Sequence, residues 1–193
     1  MNTEVTKRVC IFCGHRTGRK KVWVDFARNL GNFLGKNKYI LFYGGGGKGI
    51  MGSVALAAKK SGARVYGVIT EKLAEKEPIL ENIDEVTVVK SLSERKEKMI
   101  ETCHAAIVLP GGIGTLDELF DLWAKTQLGV EEKILILVDI NGYYSKLLEF
   151  LRHVVDEEFL SEDQLLKTKI CQNLDEVIIE LNKLDVDNAK FIY

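Results

Sequence analysis

Apolar residues follow two alternating rhythms along the chain. Short runs dominated by apolar side chains stand at 8–13, 39–43, 64–69, 85–89, 105–109 and 133–138, with a briefer one at 169–171. Runs of this length, rich in Val and Ile, fit strands of a parallel sheet that is covered on both faces. Between them lie longer segments with helical spacing. In 20–36, Trp23, Phe26, Ala27, Leu30, Phe33 and Leu34 share one face, which predicts a helix packed on the core. The segment 49–61 carries Ala55, Ala57 and Ala58 and predicts a small-residue helix suited to close packing on a sheet. Further helices are expected from Ser91 or Ser93 to about 102, along 117–128, as one long amphipathic helix over 143–159, and over 175–184. The charged stretch 71–84, with Pro78, reads as an irregular surface loop placed to lie over a site. Strand–helix alternation of this kind predicts an α/β fold: one doubly wound, Rossmann-like domain over 1–193, its mainly parallel sheet of about seven strands flanked by helices. The leader 1–7 and the tail 185–193 carry no further signal.

Glycine punctuates three strand ends: Gly14 after the first, Gly44 to Gly47 after the second, and Gly111, Gly112 and Gly114 after the fifth. In open α/β sheets, ligands lie beyond the carboxyl ends of the strands, so these turns are expected to converge on one crevice. The stretch Pro110-Gly111-Gly112-Ile113-Gly114-Thr115-Leu116-Asp117-Glu118 organises the rest. Glycines let backbone N–H groups approach an anion closely, and a helix N-terminus adds unpaired donors and the positive end of its dipole. Glu118 does not belong in a simple phosphate cradle, and its carboxylate points to chemistry beside the phosphate. A plainer alternative exists, in which Thr115 is the N-cap of a capping box and Glu118 reaches back to its amide. Arg95 and Lys96 are expected near the same rim, as a charged neighbour for the phosphate or as an ordinary solvated helix face.

Composition removes several classes. A net charge of −1 gives no electrostatic footprint for nucleic acid or an anionic membrane. No apolar run is long enough to span a bilayer, and the N-terminus lacks a signal-peptide core. Cys10 and Cys13 form a C-x-x-C, but no second pair or His cluster completes a metal site, so packed free thiols, no metal and a reducing, cytoplasmic setting are expected. The third strand does not end on the acidic residue a dinucleotide ribose requires, and the first turn does not spell G-x-G-x-x-G, which argues against NAD.

The stretch Pro110 to Glu118 resembles the PGGxGTxxE signature of the LONELY GUY (LOG) family of cytokinin-activating nucleoside-monophosphate phosphoribohydrolases. Tyr43-Gly44-Gly45-Gly46 with Gly49-Ile50-Met51-Gly52, Arg95-Lys96 with Met99, Gln127-Leu128-Gly129 and Asn141-Gly142-Tyr143-Tyr144 extend the likeness from about Val9 to about Leu181. The resemblance implies hydrolysis of the N-glycosidic bond of AMP or an N6-modified AMP, with Arg95 and Glu118 catalytic and no cofactor. It implies substrate contacts from Lys96, Gly111, Gly112, Gly114, Thr115, Gly45, Gly46 and Met51. Glu77 is either a further substrate contact or one charge among many in its loop. The nucleotide is the expected partner, together with a second copy in a homodimer. Leu119, Phe120, Leu122, Trp123 and Leu128 give the helix over 117–128 more apolar positions than one core-facing stripe needs, which also points to a dimer. The chain departs from the family at Cys13-Gly14-His15-Arg16, where C-G-S-S is usual, and this bears on substrate preference. A non-catalytic nucleotide or cofactor carrier of the same fold, or a lysine decarboxylase, are the competing readings. No lysine is marked for the imine a pyridoxal enzyme needs.

Overall fold

In the computed structural model, which describes residues 6–76, 78–131 and 133–184, seven strands form one sheet. They are β1 (Arg8–Phe12), β2 (Ile40–Tyr43), β3 (Arg64–Thr70), β4 (Glu85–Val89), β5 (Ala105–Val108), β6 (Ile134–Val138) and β7 (Lys169–Cys171). All six neighbouring pairs are parallel, in the order β4-β3-β2-β1-β5-β6-β7. The chain steps outward from β1 to β4, then restarts on the other side with β5, so the switch point lies between β1 and β5. The leader before β1 lies largely, and the tail beyond residue 184 wholly, outside the described residues.

Helices cover both faces, which is why the central strands are apolar at successive positions. Val9 and Ile11 of β1 point to a core shared with α1 (Lys21–Lys36), α2 (Gly49–Lys60) and α8 (Leu174–Asn182). Cys10 and Phe12 point to the opposite core, built with α4 (Leu92–Glu101), α5 (Ile113–Gln127), α6 (Ser145–Asp156) and α7 (Glu162–Leu166). The small residues of α2 serve a helix as well as the sheet: a Cβ on Gly31 of α1 would lie 2.8 Å from Ala57 Cβ, so glycine there lets the two helices touch. Of the two candidate caps for α4, Ser91 is the one used, its hydroxyl accepting from Glu94 N at 3.1 Å.

Two expectations need correction, and one alternative falls. The stretch 71–84 is not wholly irregular: Thr70 caps a short helix, α3 (Glu71–Ala74), and Ile79 then bridges Gly46. The helix expected over 143–159 is shorter: left-handed Asn141 and Gly142, at φ 53° and 69°, turn the chain ahead of α6, which starts at Ser145, and left-handed Glu158, at φ 62°, follows its end at Asp156. After α6 ends, Ser161 and Gln164 form a capping box that starts α7. The capping box proposed at Thr115 is absent. The helix starts earlier, with Gly112 at the N-cap and no side-chain cap, and Glu118 turns to another partner.

Candidate active site

At the carboxyl ends of β1, β2 and β5, the three glycine turns do meet. Gly14 N donates to the Pro110 carbonyl at 3.0 Å, tying the β1 turn to the β5 turn across the switch point. The β1 turn also closes the start of α2: Ile50 N reaches Arg16 O at 3.4 Å and Met51 N reaches Gly14 O at 3.1 Å. Gly49 has φ +63°, and a Cβ there would run into the His15 carbonyl. The β2 turn is covered in its turn, since Gly47 N donates to Pro78 O at 2.7 Å and Gly46 bridges Ile79. The segment 78–80 therefore lies over Gly46 and Gly47.

The start of α5 is different. Among the described residues, the amides of Gly112, Ile113, Gly114 and Thr115 meet no protein acceptor. A Cβ at Gly112 or Gly114 would meet no other atom within 4 Å, so the space in front of this turn is open. Gly111, by contrast, is packed against Thr115, whose side chain occupies the place a Cβ would take. Open N–H groups at the positive end of a 15-residue helix are the donors that suit an anion.

One turn further along α5, Glu118 is buried at 6% exposure and paired with Arg95, itself 8% exposed, Nη1 to Oε1 at 2.8 Å. Arg95 is fixed on two further sides. Its Nε donates to Val68 O of β3 at 2.8 Å and its Nη2 to Gly44 O at 3.2 Å. A Cβ on Gly44 would fall on that nitrogen, so glycine at this position admits the guanidinium. Met51, 8% exposed, packs its thioether over the same glycine. Burial pushes the Glu118 carboxyl up to about 7; the Arg95 charge pulls the other way and nearby Asp117 adds to the rise. A carboxyl raised towards neutral pH beside open N–H donors suits acid–base chemistry on an anionic ligand.

Lys96 is paired with two other carboxylates of α5. It bonds Asp117 at 3.0 Å and lies 3.6 Å from Asp121, so it pins α4 to α5 and keeps Arg95 opposite Glu118. Those two carboxylates raise its pKa against the effect of burial. The structure thus brings Arg95, Glu118, Thr115, Gly111, Gly112, Gly114 and Met51 to one crevice, with Gly45 and Gly46 in the neighbouring covered turn; Glu77 lies outside the described residues. Arg16 is exposed and makes no ion pair among the described residues.

Sequence reading missed the support given by the connection after β6. Tyr143 donates its hydroxyl to the Gly111 carbonyl at 2.5 Å, and Tyr144 donates to Leu109 O at 2.8 Å. Buried Asp139 accepts from Tyr144 N at 2.5 Å and from Ser145 Oγ at 3.2 Å. The signal was the Asn141-Gly142-Tyr143-Tyr144 motif, which the sequence alone gave no place.

A family model described as "Possible lysine decarboxylase" matches residues 51–181. A rice (Oryza sativa subsp. japonica) protein named a probable cytokinin riboside 5'-monophosphate phosphoribohydrolase is 42% identical over 155 residues, 80% of this chain and 62% of its own length. An Arabidopsis thaliana protein named a cytokinin riboside 5'-monophosphate phosphoribohydrolase is also 42% identical, over 80% of this chain and 71% of its own. The match therefore spans less than two thirds of the rice relative. Among solved structures, a molybdenum cofactor carrier protein from Chlamydomonas reinhardtii superposes with a TM-score of 0.69 over 93% of this chain and 98% of its own, at 18% identity. A molybdenum cofactor binding protein from Rippkaea orientalis gives 0.66 at 16% identity, over 93% and 98% of the two chains. These two establish a shared fold. With relatives alike at about two residues in five and a family model running over more than half its length, the chain belongs to the LOG family.

Proposed function

We propose that this protein is a nucleoside 5'-monophosphate phosphoribohydrolase, acting on AMP or an N6-modified, cytokinin-type AMP to give free base and ribose 5-phosphate. The observation that carries the reading is the Arg95–Glu118 pair, buried one turn behind the open N-terminus of α5. One helical turn advances about 5.4 Å, which sets a carboxylate a sugar's breadth from a phosphate held at the first turn. In the reaction the base leaves with the C–N bonding electrons and takes up a proton, while a water oxygen bonds the anomeric carbon. Positive charge grows on the sugar in between, and ionised Glu118 stabilises it and accepts the proton of the attacking water. Arg95 holds that carboxylate in place, with the Val68 and Gly44 carbonyls fixing the guanidinium in turn. Gly111, Gly112, Gly114 and Thr115 orient the nucleotide by its phosphate. Gly45, Gly46 and Met51 back this site, Lys96 holds its two helices together, and Glu77, outside the described residues, is proposed as a further substrate contact.

The relatives' names support the same reaction, and the family description suggests another. A pyridoxal enzyme needs a lysine free to form an imine. Lys96, the lysine whose charge acts on Glu118, is instead held as an ammonium by Asp117 and Asp121, so these residues do not fit that cofactor. Incubation with AMP and chromatography of the products tests the reading: adenine and ribose 5-phosphate are expected, with adenosine turned over far more slowly because it lacks the group that α5 holds. Bound but intact AMP would make the protein a carrier, carbon dioxide from lysine would make it a decarboxylase, and equal turnover of AMP and adenosine would remove the phosphate from the account.

We infer further that residues 1–193 act as a single domain and that the active unit is a homodimer. Leu119, Leu122 and Trp123 of α5 are buried within the chain, but Phe120 is 41% and Leu128 79% exposed. A second copy covering that side would complete the burial. A monomeric mass by light scattering, with full activity, would exclude it. The four cysteines are buried free thiols, which fits the reducing cytoplasm, and no described helix is long and apolar enough to cross a membrane.

A further inference from the structure

We propose that Tyr143 is a positioning residue for the anion site, its hydroxyl aiming the Gly112 N–H into the open space at the start of α5. This rests on the reading of that space as the phosphate site. The Gly111 carbonyl and the Gly112 N–H belong to one peptide unit. No cis peptide occurs among the described residues, and in a trans unit the two groups point in opposite directions. Whatever holds the carbonyl therefore sets where the N–H points. Tyr143 holds it, with an O···O separation of 2.5 Å.

Without such a hold, this peptide unit has unusual freedom. It lies between two glycines; Gly111 is packed against Thr115, but a Cβ at Gly112 would meet nothing within 4 Å, so on that side sterics do not fix it. Gly112 is also an N-cap with no side-chain cap of its own. If the unit rotated, it would turn a carbonyl oxygen towards the bound anion and cost the site a donor at once.

The tyrosine is itself well placed for the task. Left-handed Asn141 and Gly142 swing the chain back over the end of the sheet, and the buried Asp139 carboxylate, holding Tyr144 N and Ser145 Oγ, fixes where α6 begins. The Tyr143 ring stands edge-on to Tyr144, centroids 4.8 Å apart, and edge-on to Trp23 of α1 at 5.3 Å. Tyr144 secures Leu109, the residue before Pro110, which has no N–H to aim. The two adjacent tyrosines thus divide the work: the buried one holds the strand end, and the half-exposed one sets the direction of a donor.

Isothermal titration with ribose 5-phosphate, alongside AMP kinetics and melting curves, tests this on the wild type, Tyr143→Phe and Tyr144→Phe. In Tyr143→Phe the ring contacts stay and solvent reaches the freed carbonyl, so the melting temperature should hold. Its affinity for ribose 5-phosphate should fall about tenfold, the worth of one hydrogen bond, with KM for AMP rising by a similar factor and kcat changing less. Tyr144→Phe should melt earlier while keeping its affinity within about twofold. Wild-type affinity in Tyr143→Phe, or a loss that only follows a fall in melting temperature, would overturn the proposal. So would a wild type that does not bind ribose 5-phosphate. A wild type that binds it but releases no adenine from AMP refutes the hydrolase reading alone, and the binding series then decides on Tyr143.

Discussion

The N-termini of α2 and α5 both follow a parallel strand and a run of glycines, and they differ in what their first amides meet. At α2 the Ile50 and Met51 amides are taken by carbonyls of the β1 turn, and the glycines give room to neighbouring backbone: Gly49 to His15, Gly52 to Gly47. At α5 the amides of Gly112 to Thr115 meet no acceptor among the described residues, and Gly112 and Gly114 face open space. Glycine thus serves packing in one place and leaves room for a ligand in the other. The sequence GGGG…GIMG and the sequence GGIG do not announce the difference; the environment of each missing Cβ does.

The largest effect expected is on Glu118, the group that sets α5 apart chemically. Glu118→Gln keeps an acceptor for Arg95 and should retain AMP binding, while turnover falls by roughly two to four orders of magnitude. Unchanged turnover with a lower melting temperature would return Glu118 to a structural role.

Gly52→Ala should act through stability. Its Cβ would collide with the Gly47 carbonyl in a turn already fixed by Pro78, and overpacking against backbone costs about 1–3 kcal/mol or more. Gly114→Ala should do the reverse: the Cβ is free of clashes and alanine favours a helix by up to about 1 kcal/mol, yet it fills the space an anion needs. A higher melting temperature with weaker binding of ribose 5-phosphate is expected, measured by calorimetry and titration. If Gly52→Ala lost ligand and Gly114→Ala did not, the roles of the two helices would be interchanged.

The smallest effect is on pH dependence. The folded chain holds the Glu118 proton up to about pH 7, against 4.5 for an ordinary glutamate. Between those values the unfolded chain binds fewer protons here, so this group's contribution to stability is complete below 4.5 and is lost as pH rises through about 7. Activity should run the opposite way, rising through that same pH as the carboxylate forms. Glu118→Gln should remove this component of the stability slope, which denaturant titrations at pH 5 and pH 8 would detect.

Much of the fold was legible because the strands are short and apolar while the helices between them are periodic; all seven strands stand where their runs predicted, within a residue or two. What failed depended on local choices between equal signals. Thr115 and Ser161 both precede a suitable partner by three residues, and only Ser161 forms the box. At Thr115 the glycines let α5 begin at Ile113, and Arg95 takes Glu118 away. The helix expected over 143–159 stops at Asp156 because Glu158 turns left-handed at φ 62°, and a glutamate carries none of the stop signal a glycine would give. In the site, Glu118 and Arg95 stood out by their place beside the glycine turns and took their catalytic roles from family resemblance, whereas the carbonyls of Val68 and Gly44 that fix Arg95 are backbone groups and leave no mark in the side-chain pattern. Tyr143 needed the fold to bring it to Gly111, 32 residues away.

The contrast between the two helix starts is open to direct observation by following backbone amide NMR signals as ribose 5-phosphate is added. The account predicts that Gly112, Gly114 and Thr115 shift strongly with saturation while Ile50 and Met51 stay nearly still. Strong shifts at Ile50 and Met51 with none at Gly112 and Gly114 would contradict it.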